Sequence, residues 1–194
     1  MAHGHTRMFI KQLILKPGST GAVLPSSDGL AQRMVDFAAF GPNAVICEFG
    51  PGTGVFTKRI LESLQPNQRF FAIELNQDFA SALWERFPHL HLHVGNASSV
   101  MDYCREEGVD RLDCVVSGLP WANFPDEVQD LILNSMLEVM PAGGTFVTFA
   151  YLQGLVMPGG RRFKQKIKKL FSHVESSGVI WKNVPPAIIY RCRK

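Results

Sequence analysis

The stretch Ala44–Thr57, AVICEFGPGTGVFT, carries the most chemistry: Glu48, Gly50, Gly52 and Gly54 recur at every second position. Glycines let a backbone turn sharply and approach a ligand closely, and a helix starting behind them offers free N–H groups. A dinucleotide fingerprint needs G-x-G-x-x-G, but Val55 stands three residues after Gly52; no Lys-Ser/Thr follows, so this is not a phosphate-cradling P-loop either. A tight glycine turn with an acid before it suits a ligand carrying a cationic amine better than one carrying a pyrophosphate. Glu74 ends the run FAIE, about 20 residues past the glycines, where an acid accepts both hydroxyls of a ribose. Its plainer reading is an acid at a helix N-terminus, favoured by the dipole.

Two further clusters invite a chemical reading. His89, His91 and His93 alternate in HLHLH, so on a strand they share one face. Three imidazoles there could bind zinc, yet the expectation is a solvent-facing edge strand with Leu90, Leu92 and Val94 turned inward, and no metal. Cys47, Cys104, Cys114 and Cys192 form no C-x-x-C pair and read as reduced core thiols.

These residues need a scaffold, and from about residue 43 the chain supplies one. Short β-branched or aromatic runs alternate with amphipathic runs of helix length, the pattern of a parallel sheet covered by helices. The spacing predicts strands at Ala44–Phe49, Arg69–Glu74, Leu90–Val94, Leu112–Ser117, Thr145–Tyr151, Val174–Trp181 and Ala187–Cys192. It predicts helices at Val55–Leu64, Gln77–Phe87, Ser98–Glu107, Asp126–Met140 and Arg161–Phe171. Residues 1–42 are expected to form an N-terminal cover and residues 43–194 the main domain. In the cover, Thr6–Lys16 (TRMFIKQLILK) reads as a short helix: Arg7 and Lys11 form a cationic rim opposite Phe9, Ile10, Leu13 and Ile14. Such a helix either packs over the sheet or lies in a membrane interface.

Length and charge narrow the partners. A chain of 194 residues with 46% hydrophobic side chains, 14 Phe and 3 Trp fills one domain core and excludes general disorder. No apolar run approaches the roughly 18 residues of a membrane span, and no secretory leader is legible, so a cytoplasmic setting is expected. Residues 1–150 hold 10 Lys+Arg against 16 Asp+Glu, whereas residues 151–194 hold 10 against 1. Six of those cations fall in Arg161–Lys169, RRFKQKIKK. An acidic body with a basic end suggests an anionic surface as partner, either phosphate backbone or anionic lipid.

The Glu48–Gly54 motif resembles that of S-adenosylmethionine-dependent methyltransferases of the Rossmann-like class, in which E/D-x-G-x-G-x-G holds the methionine end. The resemblance implies a seven-stranded, mostly parallel sheet with helices on both faces. It implies contacts from Glu48, Gly50, Gly52, Thr53 and Gly54, from Glu74 and Leu75, and from Asn96 and Ala97. Gly95-Asn96-Ala97 stands where the class places its adenine contact, with Asn in place of the usual Asp. Ser117, Gly118 and Leu119, followed by Pro120-Trp121, occupy the slot of the N-P-P-Y type loop of N-methyltransferases.

Three features are similar to the bacterial phospholipid N-methyltransferases, with ornithine-lipid methylating relatives alongside. They are Gly21–Ser27 (GAVLPSS), Ser117–Pro120 (SGLP) and Asn183–Tyr190 (NVPPAIIY). That family converts phosphatidylethanolamine stepwise to phosphatidylcholine at the inner face of the cell membrane. The resemblance implies a peripheral, monomeric enzyme that meets anionic lipid through Thr6–Lys16 and Arg161–Lys169. Methyl transfer to an amine is largely positioning, but an alkylammonium of pKa about 10.4 must first lose a proton. Tyr151 and Tyr190 are the hydroxyls in question, or packing residues. Trp121 and Phe124 could cage the cationic product or simply cover the cofactor. The rival reading is an rRNA adenine N6-methyltransferase, which would explain the basic end. Against it, Gly118 stands where those enzymes carry Asn or Asp, and their added helical domain is missing. A cofactor-binding protein without catalysis is a third reading, disfavoured by the intact motifs.

Overall fold

A computed structural model describes residues 27–194. Gly21–Ser26 and the segment Thr6–Lys16 lie outside the described residues. The first described element is α1 (Asp28–Ala38). Ser27 caps it by accepting the Leu30 N–H at 3.2 Å, and Asp28 sits in its first turn. Its buried residues Leu30, Ala31, Met34, Val35 and Ala38 follow helical spacing.

The chain then alternates strand and helix: β1 (Val45–Phe49), α2 (Val55–Ser63), β2 (Arg69–Glu74), α3 (Gln77–Arg86) and β3 (Leu92–Val94). A 3-10 turn at Ala97–Ser99 leads into α4 (Val100–Glu106) and β4 (Cys114–Ser117). A second such turn at Trp121–Asn123 precedes α5 (Asp126–Val139) and β5 (Thr145–Tyr151). After α6 (Leu152–Val156) and α7 (Pro158–Leu170) come β6 (His173–Ser176) and β7 (Ala187–Arg193). The seven strands run in the order β3-β2-β1-β4-β5-β7-β6, parallel except for β7.

Strand order and side-chain parity divide the core in two. Cys47, Phe49, Phe71, Ile73, Val115 and Phe146 pack on one face against α4, α5 and α7. Ile46, Cys114, Val116, Val147 and Ile189 pack on the other against α1 and α2. The strands of the centre are buried on both faces, as parallel strands between helix layers must be.

Besides adding α1 and α6, which the spacing did not predict, the structure departs from expectation in three places. The strand expected at Val174–Trp181 stops at Ser176, because Ser177 Oγ takes the Ile189 N–H at 2.9 Å and the chain leaves the ladder. Residues 177–186 are a loop held to the sheet by the bridge of Ile180 to Ala187 and to Ser27 and Leu152 by hydrogen bonds. The histidine face of β3 does not simply meet water. His93 is 16% exposed, stacked on Tyr103 at 4.7 Å and bound to Glu106 and Glu107, because α4 covers that face. Val94, expected inside, is 39% exposed.

Candidate active site

The site forms where four parallel strands end. β1 delivers the chain into Gly50-Pro51-Gly52-Thr53-Gly54, and all three glycines have left-handed φ of 69°, 54° and 78°. That region costs an L-residue roughly 1–2 kcal/mol, so the glycines are demanded by the turn itself. Gly54 closes the loop by donating to Pro51 O at 2.9 Å and starts α2 without a side-chain cap. Of the first N–H groups of α2, that of Thr57 is taken by the Glu48 carboxyl, and no side-chain cap at Gly54 takes those before it.

The loop after β4 abuts this turn backbone to backbone. Gly118 donates to Phe49 O at 2.8 Å, and a Cβ on Gly118 would lie 2.6 Å from Gly50 O. A Cβ on Gly50 would in turn lie 2.7 Å from Leu119 Cδ2. The two glycines are thus matched across the sheet edge. No side chain of any kind fits at 118 in this backbone.

Two buried carboxylates flank the turn. Glu48 is fully buried, with Oε2 accepting from Thr57 Oγ1 at 2.7 Å and Oε1 without a partner among the described residues. Burial pushes its carboxyl up to about 8, with the Thr57 hydroxyl pulling the other way. Glu74 is 4% exposed, and its carboxyl is also raised by burial. Its Oε2 accepts the Gly52 N–H at 2.9 Å and its Oε1 accepts the Asn76 N–H at 2.8 Å. The Leu75 N–H also bonds this carboxylate, and its two oxygens have acceptor capacity beyond these three donors, so Glu74 can still accept from a ribose hydroxyl. Leu75 follows it, half-buried.

The loop after β3 joins through Gly95, which donates to Glu74 O at 2.8 Å. Asn96 Oδ1 accepts the Ser98 N–H at 3.0 Å and caps the turn that begins at the buried Ala97. Its amide nitrogen has no partner among the described residues, so Asn96 offers a donor where the usual Asp offers an acceptor. Thr53 is exposed, and its carbonyl accepts from Arg86 at 3.1 Å. Thus Glu48, Gly50, Gly52, Thr53, Gly54, Glu74, Leu75, Asn96, Ala97, Ser117, Gly118 and Leu119 all lie along one sheet edge.

The aromatic residues are placed otherwise. Trp121 is 3% and Phe124 2% exposed. The Trp121 indole stacks on Phe163 at 4.7 Å, meets Phe124 and Phe146 edge-on, and donates to Ser117 Oγ at 3.1 Å. The 3-10 turn folds both side chains inward beneath α7. They are core, so of the two readings, a cage or a cover, neither side chain presents the open aromatic face that a cage needs.

Tyr151 and Tyr190 do not converge, because they point to opposite faces of the sheet. Tyr190 pairs with Thr148 in the β5–β7 ladder and sits 3% exposed in the α4–α5–α7 core. Its hydroxyl has no partner among the described residues, and burial raises its pKa. Tyr151 ends β5 on the α1 side, half-buried and edge-on to Phe149 at 5.2 Å. The sequence reading missed Thr57, whose hydroxyl holds Glu48. Asn183, which heads the NVPPAIIY stretch, had no role assigned to it; it is 1% exposed and accepts the Ser27 N–H at 2.9 Å.

No family model matches the chain. It is 28% identical over 189 residues to an ornithine lipid N-methyltransferase of Singulisphaera acidiphila, covering 96% of this chain and 94% of the relative. It is 28% identical over 116 residues to a probable ribosomal RNA small subunit methyltransferase A of Methanosarcina barkeri, covering 60% of this chain and 38% of that one. The fold of an O-methyltransferase from Bacillus cereus in complex with SAH superposes at TM-score 0.66 with 16% identity over 98% of this chain and 90% of that one. The O-methyltransferase TomG of Streptomyces achromogenes in complex with SAM gives TM-score 0.66 and 17% identity over 98% and 96%. The glycine turn fits an S-adenosylmethionine site in its chemistry: the backbone is open at Gly52, where a Cβ would meet nothing within 4 Å, and the buried acids Glu48 and Glu74 lie on either side. The chain is an S-adenosylmethionine-dependent N-methyltransferase with a class I Rossmann-like fold, similar over nearly its whole length to a bacterial lipid N-methyltransferase and over part of it to rRNA small subunit methyltransferases.

Proposed function

We propose that this enzyme methylates the amine of a membrane lipid headgroup: phosphatidylethanolamine and its methylated intermediates on the way to phosphatidylcholine. The observation that carries it is the likeness to a lipid N-methyltransferase, which spans 96% of this chain and 94% of that one. The chain spans only 38% of the rRNA relative's length, which weakens the rRNA reading without removing it. Ornithine lipid is the second substrate reading, favoured by the name of the whole-length relative.

S-adenosylmethionine supplies an electrophilic methyl on a sulfonium. The chain's own residues hold and aim. Glu74 would accept the ribose hydroxyls, Gly50–Gly54 would pass beneath the methionine end, and the Asn96–Ala97 turn would meet the adenine. In the loop after β4, the carbonyls of Ser117, Leu119 and Pro120 already accept from Thr148, Trp121 and Asn123. The Gly118 carbonyl is left without a partner among the described residues, so it is the acceptor available to an incoming amine. Tyr190, with its raised pKa, stays a phenol and can donate a hydrogen bond but not serve as a base. Tyr151, at the carboxyl end of β5, is the tyrosine nearer the site's edge, and as a phenol it could only relay the amine's proton, giving up its own to water as it takes one.

The enzyme would work peripherally, as a monomer, on the inner face of the cell membrane. In α7, Arg162 and Lys166 are spent on Asp126 and Asp130. Arg161, Lys164, Lys168 and Lys169 remain exposed for anionic lipid, with Thr6–Lys16 as the second contact. Among the described residues no helix is long and apolar enough to cross a membrane. The test supplies S-adenosylmethionine with a labelled methyl to vesicles of phosphatidylethanolamine, vesicles of ornithine lipid, and small-subunit rRNA. Label in a lipid amine supports the reading; label in RNA alone refutes it.

A further inference from the structure

The loop 177–186 holds two apolar side chains out in water where a fold has no use for them. Trp181 is 71% exposed and Val184 is 70% exposed. The loop is not slack. Ile180, 7% exposed, bridges to Ala187, and Asn183, 1% exposed, accepts from Ser27 and donates to Pro185 O at 2.6 Å. Inward Ile180 and Asn183 alternate with outward Trp181 and Val184, so the buried pair fixes the projection of the exposed pair.

The loop belongs to the site's edge of the sheet. It re-enters β7 at Ala187, which pairs with Tyr151 at the carboxyl end of β5. From Tyr151 the chain passes into α6, and the Leu152 N–H donates to Pro186 O at 2.9 Å. Val156, 66% exposed, and Met157, 39% exposed, follow there. Two apolar pairs therefore flank one corner, accompanied by the exposed cations Lys182 and Arg161. The sole acid of residues 151–194, Glu175, is bound to Arg191 at 3.3 Å. Tryptophan beside aliphatic groups and lysine or arginine is the composition that settles at a membrane–water interface. Ser27, the first described residue, is held at this corner by Asn183.

We propose that Trp181 and Val184, with Val156 and Met157, form a rigid insertion edge that enters the interfacial layer of an anionic bilayer and sets the mouth of the active site on the lipid headgroups. The proposal rests on the lipid reading of the function. It adds which surface faces the membrane, and it makes that surface part of the folded domain, separate from Thr6–Lys16. Burying a tryptophan and a valine removes enough apolar area from water to tighten partitioning about tenfold or more.

The experiment uses the full chain with Trp84→Phe, so that Trp181 is the exposed tryptophan and Trp121 the buried one. Its emission is followed on phosphatidylcholine vesicles with and without phosphatidylglycerol, and quenching is read with lipids brominated high on the acyl chain. The expected result is a blue shift and quenching on the anionic vesicles. The double variant Trp181→Ser, Val184→Ser should float with them about tenfold less well. That variant should keep its affinity for S-adenosylhomocysteine and its turnover of an aminolipid in detergent micelles, which shows that it is folded. Unchanged flotation of the double variant, with lipid still methylated, overturns the insertion edge and leaves the lipid reading standing. Emission already blue without vesicles and unmoved by them means that the chain covers its own loop, which also overturns the proposal. Methylation of RNA and not lipid, with Trp181 responding to RNA alone, overturns both.

Discussion

The Glu74 carboxylate joins two loops of the site: its Oε2 accepts the Gly52 N–H at 2.9 Å across 22 residues of sequence. With Oε1 on the Asn76 N–H, the carboxylate is fixed at the tip of β2 with lone pairs to spare. Removing it takes away both the acceptor for a ribose and the clamp on the glycine turn. Glu74→Ala should weaken S-adenosylhomocysteine binding by about 1.5–3 kcal/mol, the range for hydrogen bonds to a charge. Titration calorimetry measures this. An unchanged affinity would remove Glu74 from the cofactor site.

Gly118 and Gly52 should respond differently to alanine. At Gly52 a Cβ meets nothing within 4 Å, so only its left-handed φ of 54° resists, at roughly 1–2 kcal/mol. At Gly118 the Cβ would press on Gly50 O at 2.6 Å, a backbone atom that cannot swing away. Gly118→Ala should therefore pry the two loops apart and lose cofactor affinity as well as about 1–3 kcal/mol of stability. Calorimetric and thermal titrations of both variants with S-adenosylhomocysteine check the ranking.

Glu48 gives the fold a pH dependence of predictable sign. In the folded protein it keeps its proton up to about pH 8, whereas in the unfolded chain it sheds it near 4.5. Between those values the folded state binds more protons, so stability is lost as pH rises through the window. Glu48→Gln should flatten this decline. Melting curves of both proteins across the window make the comparison, and parallel curves would contradict the buried, protonated Glu48.

Trp121→Ala should act on stability. The indole fills a core slot between Phe163, Phe124 and Phe146, and its loss also strips a partner from Ser117 Oγ. The expected cost is about 3–5 kcal/mol in denaturant unfolding. A variant as stable as the parent but slow in turnover would return Trp121 to the reaction.

Lys166 and Lys168 should separate in vesicle binding. Lys166 is 16% exposed in its side chain and bonded to Asp126 and Asp130, so Lys166→Glu should damage the α5–α7 contact. Lys168 is free and exposed, and Lys168→Glu together with Lys164→Glu should weaken flotation on anionic vesicles without moving the melting temperature. Each cation near an anionic leaflet contributes about 1 kcal/mol, and added salt should mimic the change.

What the sequence made legible is what local spacing determines. The glycine turn, the tip acid Glu74 and the strands of the sheet centre are each written in a dozen consecutive residues. The partner of Glu48 was not legible, since Thr57 reaches it only once α2 folds back over β1. Nor was the placing of Trp121, because a loop's position after β4 does not say which face of the sheet its side chains enter. Tyr151 and Tyr190 looked equivalent until the β5–β7 register put them on opposite faces. For α1 the signal was present and unread: Ser27 and Asp28 mark a helix start, and Leu30, Ala31, Met34, Val35 and Ala38 repeat at helical spacing.

The central claim is that this chain moves methyl groups from S-adenosylmethionine onto a lipid amine. Mass spectrometry of lipids from a bacterial host that makes no methylated lipids, carrying this chain or its Glu74→Ala variant, tests it most directly. The account predicts aminolipids heavier by one, two or three methyl groups with the parent chain and few or none with the variant. An unchanged lipid profile, with the chain expressed, folded and binding S-adenosylhomocysteine, would contradict it.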